Sequence, residues 1–425
     1  MRILHTSDWH LGRVTYNHSR AADHDAVLTE IIALAREHRP DLICHTGDLF
    51  DHARPSYSDM GKAITVLQEL AAIAPVVVAC GNHDSALLLG LFTQLLGANS
   101  RIHFITAPRP GHDGVLRFPG PDGTILRLAA LPFVHANRFI DPFDDPATWQ
   151  GNYADRVGRL AQALADDLLR DLDPGREVTV FAAHQYVAGA YLSGSERAAH
   201  SNDFYATRSE QIPTVDYAAF GHIHKPQALP GNAVTGRYAG SPIQLDFGEI
   251  GDRKSIVLVD LHPGRDAQIE LVELRAGRRL RRLDGTLDEV RALAPLVGDE
   301  LCLVTVHTAT HEPTLSEKIR ELLPAATVLQ INEVCADRRL EILTEDAVAA
   351  DLDPDFPQMF RDYLAEQGTK AAAVDRVMTT FELLFTSIDD EYPPTLPEED
   401  LLAAPVPAGQ TAYAGHTAHA REVTR

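Results

Sequence analysis

The sequence predicts an α/β protein. Short apolar runs alternate with segments whose apolar residues recur at helical spacing, up to about residue 260. Motifs rich in Asp, Asn and His follow several of the apolar runs, and the composition changes near residue 276. These observations predict a large α/β domain that carries a polar site, followed by smaller units.

Six apolar runs in the first part of the chain predict strands. Each run is too continuous to leave one face of a strand in water, so we expect strands that are buried on both faces of their sheets. The predicted strands are Ile3–Thr6, Leu42–His45, Val76–Ala79, Ile125–Ala130, Val178–Ala183 and Ala218–Phe220.

Four segments between these runs predict helices, because their apolar residues recur every three or four positions. Pro40 and Pro75 follow the first two segments and are typical of positions just beyond a helix end. The predicted helices are Ala21–His38, Ser58–Ile73, Ser85–Leu96 and Tyr153–Leu172.

Composition indicates a globular protein without a disulfide framework. The chain has 425 residues, of which 45% are apolar, and its four cysteines are scattered without a CxxC pair. Neither a signal-like start nor an apolar stretch of about 18 residues is visible, so we expect a cytoplasmic protein. The formal charge of −22 argues against a simple basic protein that coats DNA. Metal ions, a local basic patch or a partner can still hold a polyanion against an acidic protein.

The composition differs after a predicted strand at Ser255–Leu261. The segment Arg275–Arg282 carries five arginines, and residues 283–345 have the alternating pattern of a small α+β unit. Residues 355–389 predict two amphipathic helices separated near Gly368. The tail from Asp390 is rich in Pro, Ala, Glu and Gly, which predicts disorder.

Five polar motifs each follow a predicted strand. Side chains at the carboxyl ends of strands in an α/β sheet converge on one crevice, so these distant motifs are expected to form one site. In Asp8-x-His10 and His222-x-His224, residues two apart lie on the same side of an extended chain, which predicts two ligands per motif. The motifs are Asp8-Trp9-His10, Gly47-Asp48-Leu49-Phe50-Asp51, Gly81-Asn82-His83-Asp84, Ala183-His184 and Gly221-His222-Ile223-His224.

The residue types in these motifs indicate a metal site. Carboxylates, imidazoles and one amide, without a thiolate, suit Mn²⁺, Fe²⁺ or Zn²⁺ in a site that also holds water. Two neighbouring ions need a bridging carboxylate, and Asp48 is the natural candidate. Each motif alone is weak, since Gly-Asp is often a turn and His-x-His is often unrelated to metals. Five motifs in this order favour one shared metal site.

The order DxH, GDxxD, GNHD, H and GHxH resembles the calcineurin-like metallophosphoesterase superfamily over about residues 1–260. Within it, SDWHLG, GDLFD, GNHDS and GHIHKPQ resemble the SbcD family of bacterial double-strand-break repair nucleases. The resemblance implies a sandwich of two mixed sheets flanked by helices. It also implies four parts: a nuclease domain at 1–275, a small α+β capping domain at 276–345, C-terminal helices at 346–390 and a disordered tail at 391–425.

The resemblance implies a role for each motif residue. One Mn²⁺ ion would be held by Asp8, His10, Asp48 and His224, and a second by Asp48, Asn82, His184 and His222. His83 would be the catalytic histidine, and the carboxylate of Asp51 would orient it. Asp84 is predicted to be the N-cap of the following helix.

By the same resemblance, the chain would be a Mn²⁺-dependent DNA nuclease with double-strand exonuclease and single-strand endonuclease activity, serving DNA repair, recombination and replication. Its C-terminal helices would dock on an SbcC-type SMC-like ATPase, and helices around Met60–Ile73 and Leu87–Leu96 would form a homodimer. The arginines at 278, 279, 281 and 282 would contact phosphate or form a solvated strand edge. Two alternatives stay open: a stand-alone nucleotide or small-molecule phosphodiesterase, and a scaffold whose metal site only stabilises the fold.

Overall fold

A computed structural model describes the chain at residues 1–97, 99–111, 114–135, 146–196, 205–231, 234–338 and 356–366, and at six positions between 374 and 381. The tail predicted to be disordered lies outside these residues. The chain divides into two compact units, Met1–Arg339 and Leu340–Arg425. The domain boundaries at 275, 345 and 390 stay predictions.

The described residues form strands β1–β17 and helices α1–α7. The strands are β1 Arg2–Thr6, β2 Val14–Thr15, β3 His18–Ser19, β4 Leu42–His45, β5 Val76–Ala79, β6 Ile102–Ile105, β7 Val115–Pro119, β8 Ile125–Leu131, β9 Glu177–His184, β10 Tyr217–Gly221, β11 Gln227–Ala228, β12 Gly236–Tyr238, β13 Ser255–Asp260, β14 Gln268–Glu273, β15 Leu280–Thr286, β16 Leu301–Thr308 and β17 Thr327–Cys335. The helices are α1 Ala21–His38, α2 Tyr57–Ile73, α3 Ala86–Leu96, α4 Pro146–Leu169, α5 Leu287–Leu293, α6 Leu315–Leu322 and α7 Phe356–Glu366.

Two six-stranded mixed sheets make up most of the first unit. Their strand orders are β14-β13-β1-β4-β5-β6 and β11-β12-β10-β9-β8-β7. Strands β1, β4 and β5 run parallel in the first sheet, and β9 and β10 run parallel in the second. This architecture confirms the predicted sandwich. It also brings the carboxyl ends of five strands, and the motifs that follow them, to one region.

Side chains alternate between the two faces of the buried strands, and they form three apolar clusters. Leu4 and Ile43 pack under α1, α2 and α3, whereas their neighbours Ile3 and Leu42 face the second sheet. Residues of β8, β9 and α4 form a third cluster on the outer side of the second sheet. Because the central strands have apolar residues on both faces, the middle of the sheets is covered on both sides and supports the loops at the strand ends.

Local signals place the helix ends. The side chain of Ser56 caps α2 by accepting from Asp59 N at 3.1 Å, and that of Ser85 caps α3 by accepting from Leu88 N at 3.3 Å. The prediction that Asp84 caps α3 is therefore wrong by one residue. The helix predicted to start at Tyr153 begins earlier, at Pro146.

A three-stranded parallel sheet, β15-β16-β17, follows the two large sheets. Helices α5 and α6 cover it and share its apolar core. The Thr286 side chain accepts from Glu289 N at 3.3 Å, so a capping box begins α5. The order of helices and strands agrees with the pattern predicted for residues 283–345.

The second unit is described mainly by α7, the first of the two predicted amphipathic helices. The rings of Phe360 and Phe381 lie 4.5 Å apart, while Tyr363 is 54% exposed. Among the helices that the structure describes, none has the length and apolar character needed to cross a bilayer.

Candidate metal centre

Main-chain hydrogen bonds join the loops that follow β1 and β4. Asp8 N donates to Gly47 O at 3.0 Å, and His10 N donates to Asp48 O at 3.1 Å. Asp51 N donates back to Leu11 O at 3.0 Å. The two loops thus continue the parallel pairing of their strands, and this pairing sets the positions of the side chains that they carry.

Four polar residues of the motifs have left-handed backbone conformations. The φ angles are 51° at Asp8, 48° at His10, 53° at Asp48 and 95° at His222. The expectation that Asp8 and His10 project from an extended chain is therefore wrong, and so is the same expectation for His222 and His224: in both motifs the chain turns as it leaves the strand. Such conformations cost about 1–3 kcal/mol each for non-glycine residues, so the surrounding structure must hold them in place.

Glycines allow the loops to approach closely. A Cβ atom at Gly47 would lie 2.2 Å from His184 Nδ1, and one at Gly81 would lie 2.1 Å from Asp48 Oδ1. Any side chain at these positions would displace the neighbouring polar residue. The glycines that precede Asp48 and Asn82 are thus part of the site geometry.

The first group of donor atoms comes from Asp8, His10, Asp48 and His224. Atoms of Asp8, His10 and His224 lie within 4.8 Å of one another. The Nε2 atoms of His10 and His224 are 3.0 Å apart, and Asp48 Oδ2 lies 3.6 Å from His10 Nε2. All four residues are at most 3% exposed.

The second group comes from Asn82, His184 and His222, and it shares Asp48. Asn82 Oδ1 lies 2.9 Å from His184 Nε2 and 2.8 Å from His222 Nδ1. Asp48 Oδ2 lies 3.4 Å from His184 Nε2. His184 Nδ1 faces the main-chain oxygen of Thr46 at 2.7 Å, which leaves Nε2 for the site. One oxygen of Asp48 therefore borders both groups.

These distances fit two divalent ions. Neighbouring ligands about 2.1 Å from one ion are separated by about 3.0–3.4 Å for bond angles of about 90–110°. Within the second group, Asn82 Oδ1 lies 2.8 Å from His222 Nδ1 and 2.9 Å from His184 Nε2. Within the first group, the Nε2 atoms of His10 and His224 are 3.0 Å apart. Carboxylate, amide and imidazole donors, buried together without a thiolate, match first-row divalent metals.

The protonation of these groups also fits a cation site. Burial raises the pKa of Asp8 to about 6 and lowers that of His10 to about 4. Burial disfavours the charged form of His184, yet the charge of Asp48 raises its pKa to about 9. Burial opposes ionisation of Asp48 as well, but the charge of His184 outweighs it and holds the Asp48 pKa well below its usual value. Bound ions would replace the proton on His184, because ligands bind metals in their deprotonated forms.

His83 lies beside the first group and is half-buried. Its ring centroid is 4.7 Å from that of His10, and its main-chain N donates to Asp48 Oδ1 at 2.8 Å. Its Nδ1 atom lies 2.7 Å from the main-chain oxygen of Asp51. This contact fixes the ring so that Nδ1 is the donor.

The prediction that the carboxylate of Asp51 orients His83 is wrong, because the main chain of Asp51 makes this contact. His83 meets the main-chain oxygen of Asp51, whereas the carboxylate lies 3.3 Å from His10 Nδ1 and 3.4 Å from Arg13 Nη1. The reason is the pairing of Asp51 N with Leu11 O, which turns the side chain towards the loop after β1. Burial opposes ionisation, but His10 outweighs it and holds the Asp51 pKa far below its usual value.

The chain resembles known proteins over most of its length. The family model described as Calcineurin-like phosphoesterase matches residues 1–226, and the model SbcD_C, described as Type 5 capsule protein repressor C-terminal domain, matches residues 276–368. The SbcD subunit of the nuclease SbcCD from Bacillus subtilis (strain 168) is 30% identical over 341 residues, which cover 72% of this chain and 82% of that protein. The chain belongs to the SbcD family.

Other members support the same assignment. The SbcD subunit from Escherichia coli (strain K12) is 31% identical over 304 residues, covering 69% of this chain and 73% of that protein. The SbcD subunit from Rhodobacter capsulatus is 29% identical over 292 residues, covering 62% of this chain and 67% of that protein. The SbcD-family chain is thus a metal-dependent phosphodiesterase, which excludes a purely structural scaffold.

The arginine-rich segment of this SbcD-family chain is largely paired within the protein. Arg278 and Arg281 are partly buried, whereas Arg279 and Arg282 are exposed, so phosphate contact and a solvated strand edge both stay predictions for this segment. The contacts are Arg278 with Asp23 at 2.9 Å, Arg279 with Glu273 at 3.6 Å, Arg281 with Glu300 at 2.6 Å, and Arg282 over the ring of Phe247 at 5.5 Å.

Several residues outside the five motifs border the SbcD-family site. Phe133 stacks on His222 with ring centroids 5.8 Å apart. Behind His224 lie Ser195 and Glu249, at 2.6 and 3.3 Å from its Nδ1 atom. Ser195 lies in the loop that follows the strand of His184, so its place beside the site is predictable from the sequence, whereas Glu249 looks like a surface residue there and only the tertiary fold brings it to the site.

Proposed function

We propose that this chain is a Mn²⁺-dependent DNA nuclease, with double-strand exonuclease and single-strand endonuclease activity, and the nuclease subunit of an SbcCD-type complex in DNA repair and recombination. The main support is that Asp48 Oδ2 borders two groups of buried donors, at 3.6 Å from His10 and 3.4 Å from His184. Family membership supplies the nuclease class, and the donor set suits manganese.

In this proposal each group of donors holds one ion. The first ion is held by Asp8, His10, Asp48 and His224, and the second by Asp48, Asn82, His184 and His222. When bound, such ions polarise a phosphodiester and lower the pKa of water at the site. The protein keeps the donors fixed: His222 N donates to both oxygens of Asp8, at 3.1 and 3.3 Å, so this carboxylate is held in place.

His83 is proposed as the proton donor to the leaving oxygen. A carbonyl oxygen only accepts hydrogen bonds, so the contact with Asp51 O requires a hydrogen on His83 Nδ1. With Nδ1–H donated to Asp51 O, His83 would donate from Nε2 to a phosphate oxygen at the metal centre as an imidazolium, which carries a hydrogen on both ring nitrogens. In this arrangement Asp51 orients His83 through its main chain and His10 through its side chain.

The test is cleavage of DNA by the purified protein with Mn²⁺. We expect digestion of linear duplex DNA and of circular single strands, loss of both activities with a chelator, and recovery when Mn²⁺ is returned. The His83→Gln variant is the control for a contaminating nuclease. Cleavage of bis(p-nitrophenyl) phosphate without cleavage of any DNA, with or without the ATPase partner, would favour a small-molecule phosphodiesterase.

A homodimer through α2 and α3 is proposed from one exposed apolar stripe. Leu87, Leu91 and Leu95 lie four residues apart on α3 and are 89%, 48% and 73% exposed. One helix face with three exposed leucines is typical of a protein interface. Replacing Leu87 and Leu95 with Ser should give a monomer in analytical ultracentrifugation, and a dimer that persists would contradict the proposal.

The C-terminal helices are proposed to dock on an SbcC-type ATPase. Tyr363 and Val377 are 54% and 40% exposed in the second unit, so they are available to a partner. Replacing both with Asp should abolish co-purification with the ATPase while leaving the cleavage of a small phosphodiester unchanged. Retention of the ATPase would contradict this assignment.

A further inference from the structure

Glu249 lies at the end of a short turn, Phe247–Glu249, and is completely buried. Its Oε2 atom is 2.6 Å from Lys254 Nζ, accepts from Leu245 N at 3.1 Å and accepts from Ser241 Oγ at 3.3 Å. A buried carboxylate is costly unless it is paired and hydrogen-bonded. Lys254, Leu245 and Ser241 stabilise the buried charge at Oε2. The other oxygen, Oε1, is left for a different contact.

The other oxygen, Oε1, points at His224. It lies 3.3 Å from His224 Nδ1 and accepts a hydrogen bond from Ser195 Oγ. Ser195 Oγ is itself 2.6 Å from His224 Nδ1. Because Ser195 donates its only hydroxyl hydrogen to Glu249, it accepts at its other side. The hydrogen of this contact therefore belongs to His224 Nδ1.

This chain of contacts sets the tautomer of His224. With a hydrogen on Nδ1, the neutral ring has its lone pair on Nε2, the atom that lies 3.0 Å from His10 Nε2 in the first donor group. His184 has a similar arrangement with a different partner, since its Nδ1 faces the main-chain oxygen of Thr46. A carboxylate behind the ring also makes His224 a more basic ligand than a carbonyl would.

Lys254, the partner of Glu249, also contacts the main chain of His224. Its Nζ donates to His224 O at 2.9 Å and to Ser241 Oγ at 2.9 Å, and it is only 5% exposed. Burial opposes ionisation of Glu249, but the charge of Lys254 outweighs it and keeps the Glu249 pKa well below its usual value. The ion pair therefore contacts both the side chain and the backbone of one residue.

We propose that Glu249 is a positioning residue for the metal centre: acting through Ser195 and paired with Lys254, it holds His224 in the tautomer and orientation that binds a divalent ion. The inference rests on the proposed ligand role of His224. Glu249 itself touches neither substrate nor metal in this account.

The test measures Mn²⁺ binding to the full chain by isothermal titration calorimetry, after removal of metal with a chelator. For Glu249→Gln we expect one of two binding events to weaken by about 10–100-fold, which is typical for loss of a residue that orients a ligand, while the other is unchanged. The rise in Tm on adding Mn²⁺ should shrink in parallel. A second variant, Glu249→Gln with Lys254→Met, removes both charges, so it leaves no unpaired buried charge and should fold.

Asp23→Asn is the matched control. Asp23 is also a buried carboxylate, 2% exposed and paired with Arg20 at 2.7 Å and Arg278 at 2.9 Å, but it belongs to neither donor group. This variant should lower Tm equally with and without Mn²⁺ and leave both affinities unchanged.

Two outcomes distinguish this inference from the proposed function. If the wild-type protein binds two Mn²⁺ ions and a folded Glu249 variant, single or double, binds both with wild-type affinity, Glu249 is not a positioning residue. If the wild-type protein binds no Mn²⁺, the ligand assignment fails, and the role of Glu249 fails with it.

Discussion

Asp84 connects the two loops that carry Asp48 and Asn82. Its carboxylate accepts from Gly81 N at 2.9 Å, Leu49 N at 3.2 Å and Phe50 N at 3.0 Å, and the residue is only 7% exposed. Asp84→Ala would leave three buried N–H groups without this acceptor. Each unsatisfied group costs about 1–3 kcal/mol. Because water can enter the space left by the carboxylate, we take the lower limit, about 3 kcal/mol in total.

The assay is differential scanning calorimetry of the metal-free protein. At about 2.1 cal/mol/K per residue, the unfolding entropy of the first unit, Met1–Arg339, is about 0.7 kcal/mol/K, so Asp84→Ala should lower Tm by about 4 °C. Asp84→Asn keeps one oxygen as an acceptor, so its Tm should lie between those of Asp84→Ala and the wild type. Asp122→Ala is the control, since Asp122 is an exposed turn residue whose carboxylate accepts from Thr124 N at 3.0 Å; its Tm should match the wild type. A Tm for Asp84→Ala within about 2 °C of the wild type would refute the reasoning.

Three further predictions concern the site and its support. His83→Gln should lower the cleavage rate by about 10²–10⁴-fold while calorimetry still finds two bound Mn²⁺ ions; a near-normal rate would point to another acid. Gly81→Ala should reduce the number of bound ions, because its Cβ would lie 2.1 Å from Asp48 Oδ1; full occupancy would contradict the close approach. Burial opposes ionisation of Asp23, but hydrogen bonds from Arg278 and Arg20 outweigh it and hold its pKa at about 2. Its contribution to stability is complete above about pH 4 and is lost as the pH falls towards 2. Urea unfolding of Asp23→Asn should therefore show a weaker loss of stability over this pH range, and an unchanged pH profile would count against the pairing.

Strands and helices with a clear apolar period were predictable, and those without one were not. Leu42–His45, Val76–Ala79 and Ala21–His38 match the structure at both ends. In contrast, β14 is an edge strand with half of its residues exposed, so it lacks the continuous apolar run on which strand prediction depends. Periodicity reports burial, and it therefore identifies the centre of the sheets better than their edges.

The candidate donors were predictable because they directly follow buried strands, but the way each is held was not. The left-handed conformations of Asp8 and His10 depend on pairing with the loop after β4, which is distant in sequence. The same pairing directs the Asp51 carboxylate to His10 rather than His83. Glu249 reaches His224 only through the fold of the segment after β12. Motif order indicates which residues meet, whereas tertiary contacts decide their orientation.

The most direct test of the two-metal site is anomalous diffraction from crystals grown with Mn²⁺. We predict two peaks, one beside Asp8, His10 and His224 and one beside Asn82, His184 and His222, with Asp48 between them. A single peak, or peaks away from these side chains in crystals saturated with Mn²⁺, would contradict the account.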